Sequence, residues 1–152
     1  MDVPRKLELL PLLRKRSHFL FGPRQTGKTY LCRQTLGDFR SYSLLKSDTF
    51  LQLSRNPQRL REEIIAGRDE IVIIDEIQKL PDLLDEVHWL IEERGVHFLL
   101  TGSSARKLRR GGVNLLGGRA RTLNLHPFTA GELGDAFDLD LALDVGLIPA
   151  IY

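Results

Sequence analysis

The sequence predicts an α/β fold, a three-layer sandwich in which a central parallel sheet of about five strands lies between two layers of helices. Short apolar segments of strand length alternate along the chain with longer segments of helical periodicity. Residues 71–74 are continuously apolar and β-branched, which is typical of a strand in the middle of a parallel sheet. The 152 residues are enough for one such domain and too few for two ordinary ones.

The chain divides into three predicted parts. Residues 1–16 are predicted to form a leading helix, because leucines cluster around Pro11 ahead of a basic run. Residues 17–135 hold the alternating strands and helices of the core. Residues 136–152 are predicted to begin a lid or C-terminal region whose remainder is not present.

Each element of the core is predicted by a local pattern. The strand candidates are residues 18–21, 39–45, 71–74, 96–100 and 122–125. The helix candidates are residues 29–36, a helix that starts at Asn56-Pro57, a helix that starts at Pro81-Asp82 and ends at Gly95, and one that starts near Ala105. Ligands of parallel sheets bind at the carboxyl ends of the strands, so functional residues are expected after residues 21, 74 and 100.

The segment between the first strand and the first core helix fits the phosphate-loop pattern GxxxxGK[ST]. Its glycines let the backbone turn so that N–H groups point at phosphate oxygens, and the following helix presents its positive end to the same anion. Lys28 is expected at the β- and γ-phosphates of ATP and to face solvent without nucleotide, and the Thr29 hydroxyl is expected at Mg²⁺. The motif predicts a P-loop NTPase, with these nucleotide-binding residues: Gly22, Pro23, Arg24, Gln25, Thr26, Gly27, Lys28 and Thr29.

Two carboxylates, Asp75 and Glu76, follow the strand of residues 71–74. Adjacent acids at the mouth of a buried strand are costly unless a cation is near. Asp75 is therefore expected to hold Mg²⁺ directly or through water. Glu76 is expected to orient and deprotonate an attacking water.

Hydroxyl side chains follow the next strand, at Thr101, Ser103 and Ser104. Beside the γ-phosphate, one of them could position the water, with Ser103 the first choice and Thr101 the second. The alternative is that Ser103 caps the helix that starts near Ala105.

Four segments together resemble AAA-type ATPases of the archaeal-ATPase-like group found in bacteria and archaea. They are GPRQTGKT (22–29), IVIIDEIQKLP (71–81), LLTGSSARKL (99–108) and LLGGRARTLNLHPFTAGEL (115–133). The resemblance implies an ATP hydrolase with Lys28 and Thr29 at the phosphates and Mg²⁺. It also implies that Asp75 is the Walker-B acid, Glu76 the catalytic acid and Ser103 the sensor residue.

The resemblance further implies self-association. Arg119 lies just before the fifth predicted strand, where AAA proteins often place an arginine that reaches a neighbour's nucleotide. The alternative is that Arg119 and Arg121 pair with surface acids. Residues 146–149 are similar to the turn that leads such proteins into a lid and a further domain, so the chain is expected to be a truncated version.

Three other functions stay open on the sequence. A nucleotide-gated binding module would hold ATP without hydrolysing it. A P-loop kinase is disfavoured, because the adjacent Asp75 and Glu76 suit an activated water better than a nucleophile supplied by a substrate. Contact with DNA would use a basic run, although such a run is more often a solvated helix face and no aromatic residues interleave for stacking. The run consists of Arg106, Lys107, Arg109 and Arg110.

Composition argues against several other classes. The net charge of +2 gives no overall attraction to nucleic acid or membrane. A single cysteine, Cys32, and scattered histidines give neither a disulfide nor metal-ligand spacing, which fits a reducing cytoplasm. No segment approaches the ~20 apolar residues of a membrane span, and the N-terminus has no signal-peptide pattern. The protein is therefore expected to be cytoplasmic, with no membrane partner.

Overall fold

A computed structural model describes residues 4–110 and 115–149, with the side chain of Arg110 excluded. The strands in these ranges are β1 (Ser17–Phe21), β2 (Arg40–Ser43), β3 (Ile71–Asp75), β4 (His97–Gly102) and β5 (Ala120–Asn124). The helices are α1 (Leu9–Leu13), α2 (Lys28–Leu36), α3 (Ser47–Arg55), α4 (Gln58–Gly67), α5 (Leu83–Arg94), α6 (Ala105–Arg110), α7 (Ala130–Leu133) and α8 (Leu139–Val145).

The strands form one parallel sheet in the order β2-β3-β4-β1-β5. β1 pairs with β4 on one side, where His18 is opposite Leu99, and with β5 on the other, where Ser17 is opposite Ala120. The carboxyl ends of β3, β4 and β1 therefore lie side by side at one edge. This arrangement confirms the predicted parallel α/β fold.

Helices cover both faces of the sheet because alternate strand residues point to opposite sides. One face buries Phe19, Val72 and Phe98 against apolar side chains of α3, α4, α5 and α6. The other buries Leu20 and Ile73 against leucines of α1 and α2. The three layers match the predicted sandwich.

The structure differs from the predicted elements in several places. α3 was not predicted; it is nine residues long and has Leu53 as its one buried residue. Residues 1–3 of the predicted leading helix lie outside the described ranges. Within residues 4–16 the helix is α1, in which Pro11 lies within the first turn, where a missing N–H costs little. α8 follows the core and has no buried residue. Within the described ranges, no helix is long and apolar enough to cross a membrane.

Candidate functional site

The loop of residues 22–27 joins β1 to α2 and needs glycine at both ends. Gly27 has φ 89° and ψ 22°, a left-handed backbone conformation that residues with a Cβ rarely adopt. At Gly22 an added Cβ would lie 2.4 Å from the carbonyl oxygen of Leu125, just beyond the end of β5. The loop is thus packed directly on the backbone that follows β5.

Lys28 is buried, with 6% of its surface exposed, so the expectation that it faces solvent was wrong. The loop curls around the side chain, and its ammonium group donates to the carbonyl oxygens of Gly22 at 2.5 Å and Pro23 at 3.0 Å. Burial lowers the pKa of Lys28, and the nearby carboxylates of Glu76 and Asp75 oppose that shift. The ammonium is therefore held at the loop by backbone carbonyl groups.

Asp75, the last residue of β3, is a buried carboxylate beside Thr101 of β4. The Thr101 hydroxyl donates to the Asp75 carboxylate at 2.5 Å. Burial raises the pKa of Asp75; the bond from Thr101 opposes this rise, and the charge of Glu76 adds to it. The charges of Lys28 and Arg33 also oppose the rise, and a divalent cation bound to Asp75 would favour the charged carboxylate further.

The donor set at this position fits Mg²⁺. Asp75 and Thr29 line the same cavity, of about 270 Å³, between α2 and the strands β2 and β3. Mg²⁺ is commonly held by one or two carboxylates together with phosphate oxygens and water. The described ranges contain no group of three or more His, Cys, Asp or Glu side chains that could hold a metal by themselves. The site thus suits an ion that arrives with a phosphate ligand.

Glu76 has a left-handed backbone, with φ 60° and ψ 50°, which turns the chain sharply after β3. Its N–H donates to the Thr101 hydroxyl at 3.1 Å, and its carboxylate accepts a hydrogen bond from the side-chain amide of Gln78. Glu76 lines a cavity of about 490 Å³ together with Lys28 and Thr29. The loop and the second carboxylate therefore face one space, and the structure adds Gln78, which the sequence analysis did not single out.

The hydroxyls at the end of β4 and just after it have separate roles. Thr101 donates to Asp75 and accepts from the N–H of Glu76, so its one hydroxyl proton is already committed. Ser104 accepts from the N–H of Arg106 at 3.2 Å, so the capping contact at the start of α6 falls on Ser104. The Ser103 hydroxyl is buried and has no hydrogen-bond partner in the described part of the chain. Within these ranges the Ser103 hydroxyl is therefore left without a partner.

Arg119 lies at the opposite edge of the sheet from the phosphate loop, because it precedes β5 while the loop follows β1. Its guanidinium forms an ion pair with Glu92 of α5 and donates to the carbonyl oxygen of Leu116 at 3.2 Å. Arg119 therefore pairs with a surface acid, which was the alternative interpretation of this residue. Arg119 does not reach the loop of its own chain.

The basic run lies mainly on the surface of α6. Arg106, Lys107 and Arg109 are exposed, whereas Leu108 between them is buried against the core. The side chain of Arg110 lies outside the described part. Three cations are thus exposed on one short helix.

The comparisons with known proteins agree with this architecture. Residues 14–134 match the family model of the AAA domain. No curated protein sequence gives a significant match. Among solved structures, the chain is similar to the Orc1 protein of Aeropyrum pernix, determined in complex with DNA, with 17% sequence identity and a TM-score of 0.53. The match covers 99% of this chain and 56% of the other, so the chain spans just over half the length of that protein.

At this identity, the similarity to Orc1 supports the fold alone. The family model is the stronger evidence, because it spans the phosphate loop, the acidic pair and all five strands. The chain belongs to the AAA domain family.

Proposed function

We propose that this chain binds ATP with Mg²⁺ and hydrolyses it to ADP and phosphate. Membership in the AAA domain family supports nucleotide binding of the ATPase type. The observation that carries the proposal is the single cavity that Lys28, Thr29 and Glu76 line between the phosphate loop and the turn after β3. We place the protein in the cytoplasm, where a lone cysteine such as Cys32 stays reduced.

The phosphate loop would bind the β- and γ-phosphates. Its N–H groups and the N-terminus of α2 offer positive partial charge, and a phosphate oxygen is a stronger acceptor for the Lys28 ammonium than the carbonyl groups it contacts now. Thr29 and Asp75 would hold Mg²⁺, which supplies positive charge that neutralises the phosphate oxygens. These groups bind and orient the nucleotide without taking part in proton transfer.

Glu76 would accept the proton of the attacking water. The water oxygen forms a bond to the γ-phosphorus, the bond from the γ-phosphorus to the bridging oxygen breaks, and ADP leaves with that electron pair. The proton of the water passes to the Glu76 carboxylate. Ser103 is proposed to orient the same water, because its buried hydroxyl has no other partner in the described ranges.

Replacing Lys28 with alanine is expected to lower ATP affinity roughly 10- to 100-fold, the effect of losing a hydrogen bond to a charged group. Isothermal titration calorimetry with Mg²⁺-ATP measures this loss. Lys15→Ala is the control, since Lys15 is an exposed lysine just before β1, at the other edge of the sheet. Thermal unfolding of both variants is needed, because Lys28 is buried and bonds the loop carbonyls. Unchanged affinity in a folded Lys28→Ala variant would contradict the proposed site.

DNA contact through α6 is a second candidate function. The exposed side chains of Arg106, Lys107 and Arg109 favour it, and the Orc1 protein with a similar fold was determined in complex with DNA. A plot of the logarithm of the DNA-binding constant against the logarithm of the salt concentration has a slope set by the number of phosphate contacts. If these cations contact phosphates, changing all three to glutamine should make that slope less steep by about one unit per contact. Fluorescence anisotropy at several salt concentrations measures that slope.

The control for the DNA experiment removes the same charge elsewhere. Arg14, Lys15 and Arg16 form an exposed run of three cations before β1, and they are changed to glutamine together. Equal effects of the two triple variants would show that binding depends on net charge alone, and α6 would not be a DNA-binding surface.

A further inference from the structure

Gln78 lies between the acidic pair and the end of β4. It belongs to a short 3₁₀ turn, Ile77–Lys79, that follows Glu76. Its side-chain amide nitrogen donates to the Glu76 carboxylate. A carboxylate only accepts, so the nitrogen of the amide must face Glu76 and its oxygen must face away.

The amide oxygen of Gln78 occupies space that Gly102 leaves free. A Cβ added at Gly102 would lie 2.7 Å from that oxygen, closer than side chains pack. Gly102 does not have the left-handed backbone that favours glycine, and a methyl group there would push the Gln78 amide aside. The last residue of β4 thus admits the side chain that holds Glu76.

The contacts of the Gln78 amide are confined to this site. Its oxygen is buried and has no hydrogen-bond partner in the described part of the chain. Its nitrogen bonds Glu76, and no other bond of the side chain competes with that one in the same ranges. The amide is therefore oriented by two features, the Glu76 carboxylate on one side and the absence of a Cβ at Gly102 on the other.

We propose that Gln78 is a positioning residue that fixes the Glu76 carboxylate for water activation, with Gly102 admitting its amide. This inference rests on the proposed ATP hydrolysis. Glu76 is half-buried, and it faces the cavity that Lys28 also lines. A bond from Gln78 to one carboxylate oxygen leaves the other oxygen to accept the proton of the water. Because the carboxylate is held in one orientation before the reaction, less conformational entropy is lost on reaching the transition state.

The proposal predicts a loss in kcat without a loss in binding. Gln78→Ala removes the donor, and Gly102→Ala displaces it by adding a methyl group in its place. Each change should lower kcat roughly 10- to 100-fold, the effect of losing a hydrogen bond to a charged group, and should leave the Kd for Mg²⁺-ATP within about twofold. The double variant should be no slower than the slower single variant, because both changes remove the same interaction.

The experiment measures single-turnover hydrolysis and calorimetric binding of ATP for the whole chain. Gln52→Ala and Gly131→Ala are matched controls, since Gln52 is exposed on α3 and a Cβ at Gly131 would meet only the flexible end of Lys6. Both controls should keep the wild-type kcat. If Gly102→Ala fails to fold, Gln78→Ala alone decides the question.

The possible failures are distinguishable. If the wild-type chain hydrolyses ATP and Gln78→Ala has the same kcat, Gln78 has no positioning role while the proposed hydrolysis stands. Losses that add in the double variant would also overturn the proposal, because Gly102 would then act independently of Gln78. If the wild-type chain hydrolyses no ATP, the proposed hydrolysis and the role of Gln78 fail together.

Discussion

Replacing Glu76 with glutamine should leave the binding of Mg²⁺-ATP nearly intact and lower the rate of hydrolysis by about 10²- to 10⁴-fold. Glutamine has the size of glutamate but cannot accept the proton of the water. Since Glu76 is half-buried and its backbone N–H, not its side chain, contacts Thr101, the fold should tolerate the change. Phosphate release in single-turnover reactions, together with calorimetry, separates the two effects.

Asp75→Asn is the informative comparison for Glu76→Gln. An amide at position 75 is a weaker ligand for Mg²⁺, so this variant should weaken the Mg²⁺ dependence of ATP binding. The two variants should therefore differ: Asp75→Asn changes the Mg²⁺ dependence of ATP binding, and Glu76→Gln lowers the rate of hydrolysis. A Glu76→Gln variant that hydrolyses ATP at the wild-type rate would contradict the mechanism, because Thr101 and Ser103 cannot replace a carboxylate as the base.

Replacing Arg119 with alanine should lower ATP hydrolysis by about 10³- to 10⁵-fold if Arg119 acts as an arginine finger in a neighbouring subunit. Arg119 could act only in a neighbouring subunit, because it lies at the opposite edge of the sheet from the loop of its own chain. A guanidinium at the γ-phosphate would neutralise charge that grows in the transition state. The specific activity of the wild-type chain should then rise with protein concentration.

Mixing two inactive variants tests whether Arg119 acts in a neighbour. Arg119→Ala supplies an intact Glu76, and Glu76→Gln supplies an intact Arg119, so the mixture should recover part of the activity. Arg16→Ala is the matched control, since Arg16 is an exposed arginine directly before β1 at the same edge of the sheet. If Arg119→Ala alone is fully active and mixing gives no gain in activity, the proposal is wrong. Arg121 then becomes the next candidate.

The main features of the fold could be predicted because each depends on local patterns. The run of residues 71–74 is apolar throughout, as a strand buried on both faces must be, and β3 occupies it. Gly95 has a left-handed backbone directly after α5, as expected for a glycine that ends a helix. The order of strands in the sheet depends on contacts between distant segments, which local patterns do not encode.

The candidate site could be predicted in outline for the same reason. The phosphate loop and the acidic pair are contiguous segments whose spacing carries their chemistry. The bonds from Thr101 to Asp75 and from Gln78 to Glu76 depend on how β4 and a 3₁₀ turn meet at the edge of the sheet. The ion pair of Arg119 with Glu92 likewise joins separate elements, so the sequence indicated a surface acid without indicating which one.

The position of β1 between β4 and β5 has a consequence for how the protein is made. Both partners of β1 follow it late in the chain, since His18 pairs with Leu99 and Ser17 with Ala120. Contacts of such separation close slowly during folding. During synthesis on a ribosome, the loop that packs against Leu125 cannot be completed until that residue has emerged. ATP bound as proposed could therefore stabilise only a chain that already includes β5, and a nascent chain that stops before β5 would gain no protection from the nucleotide.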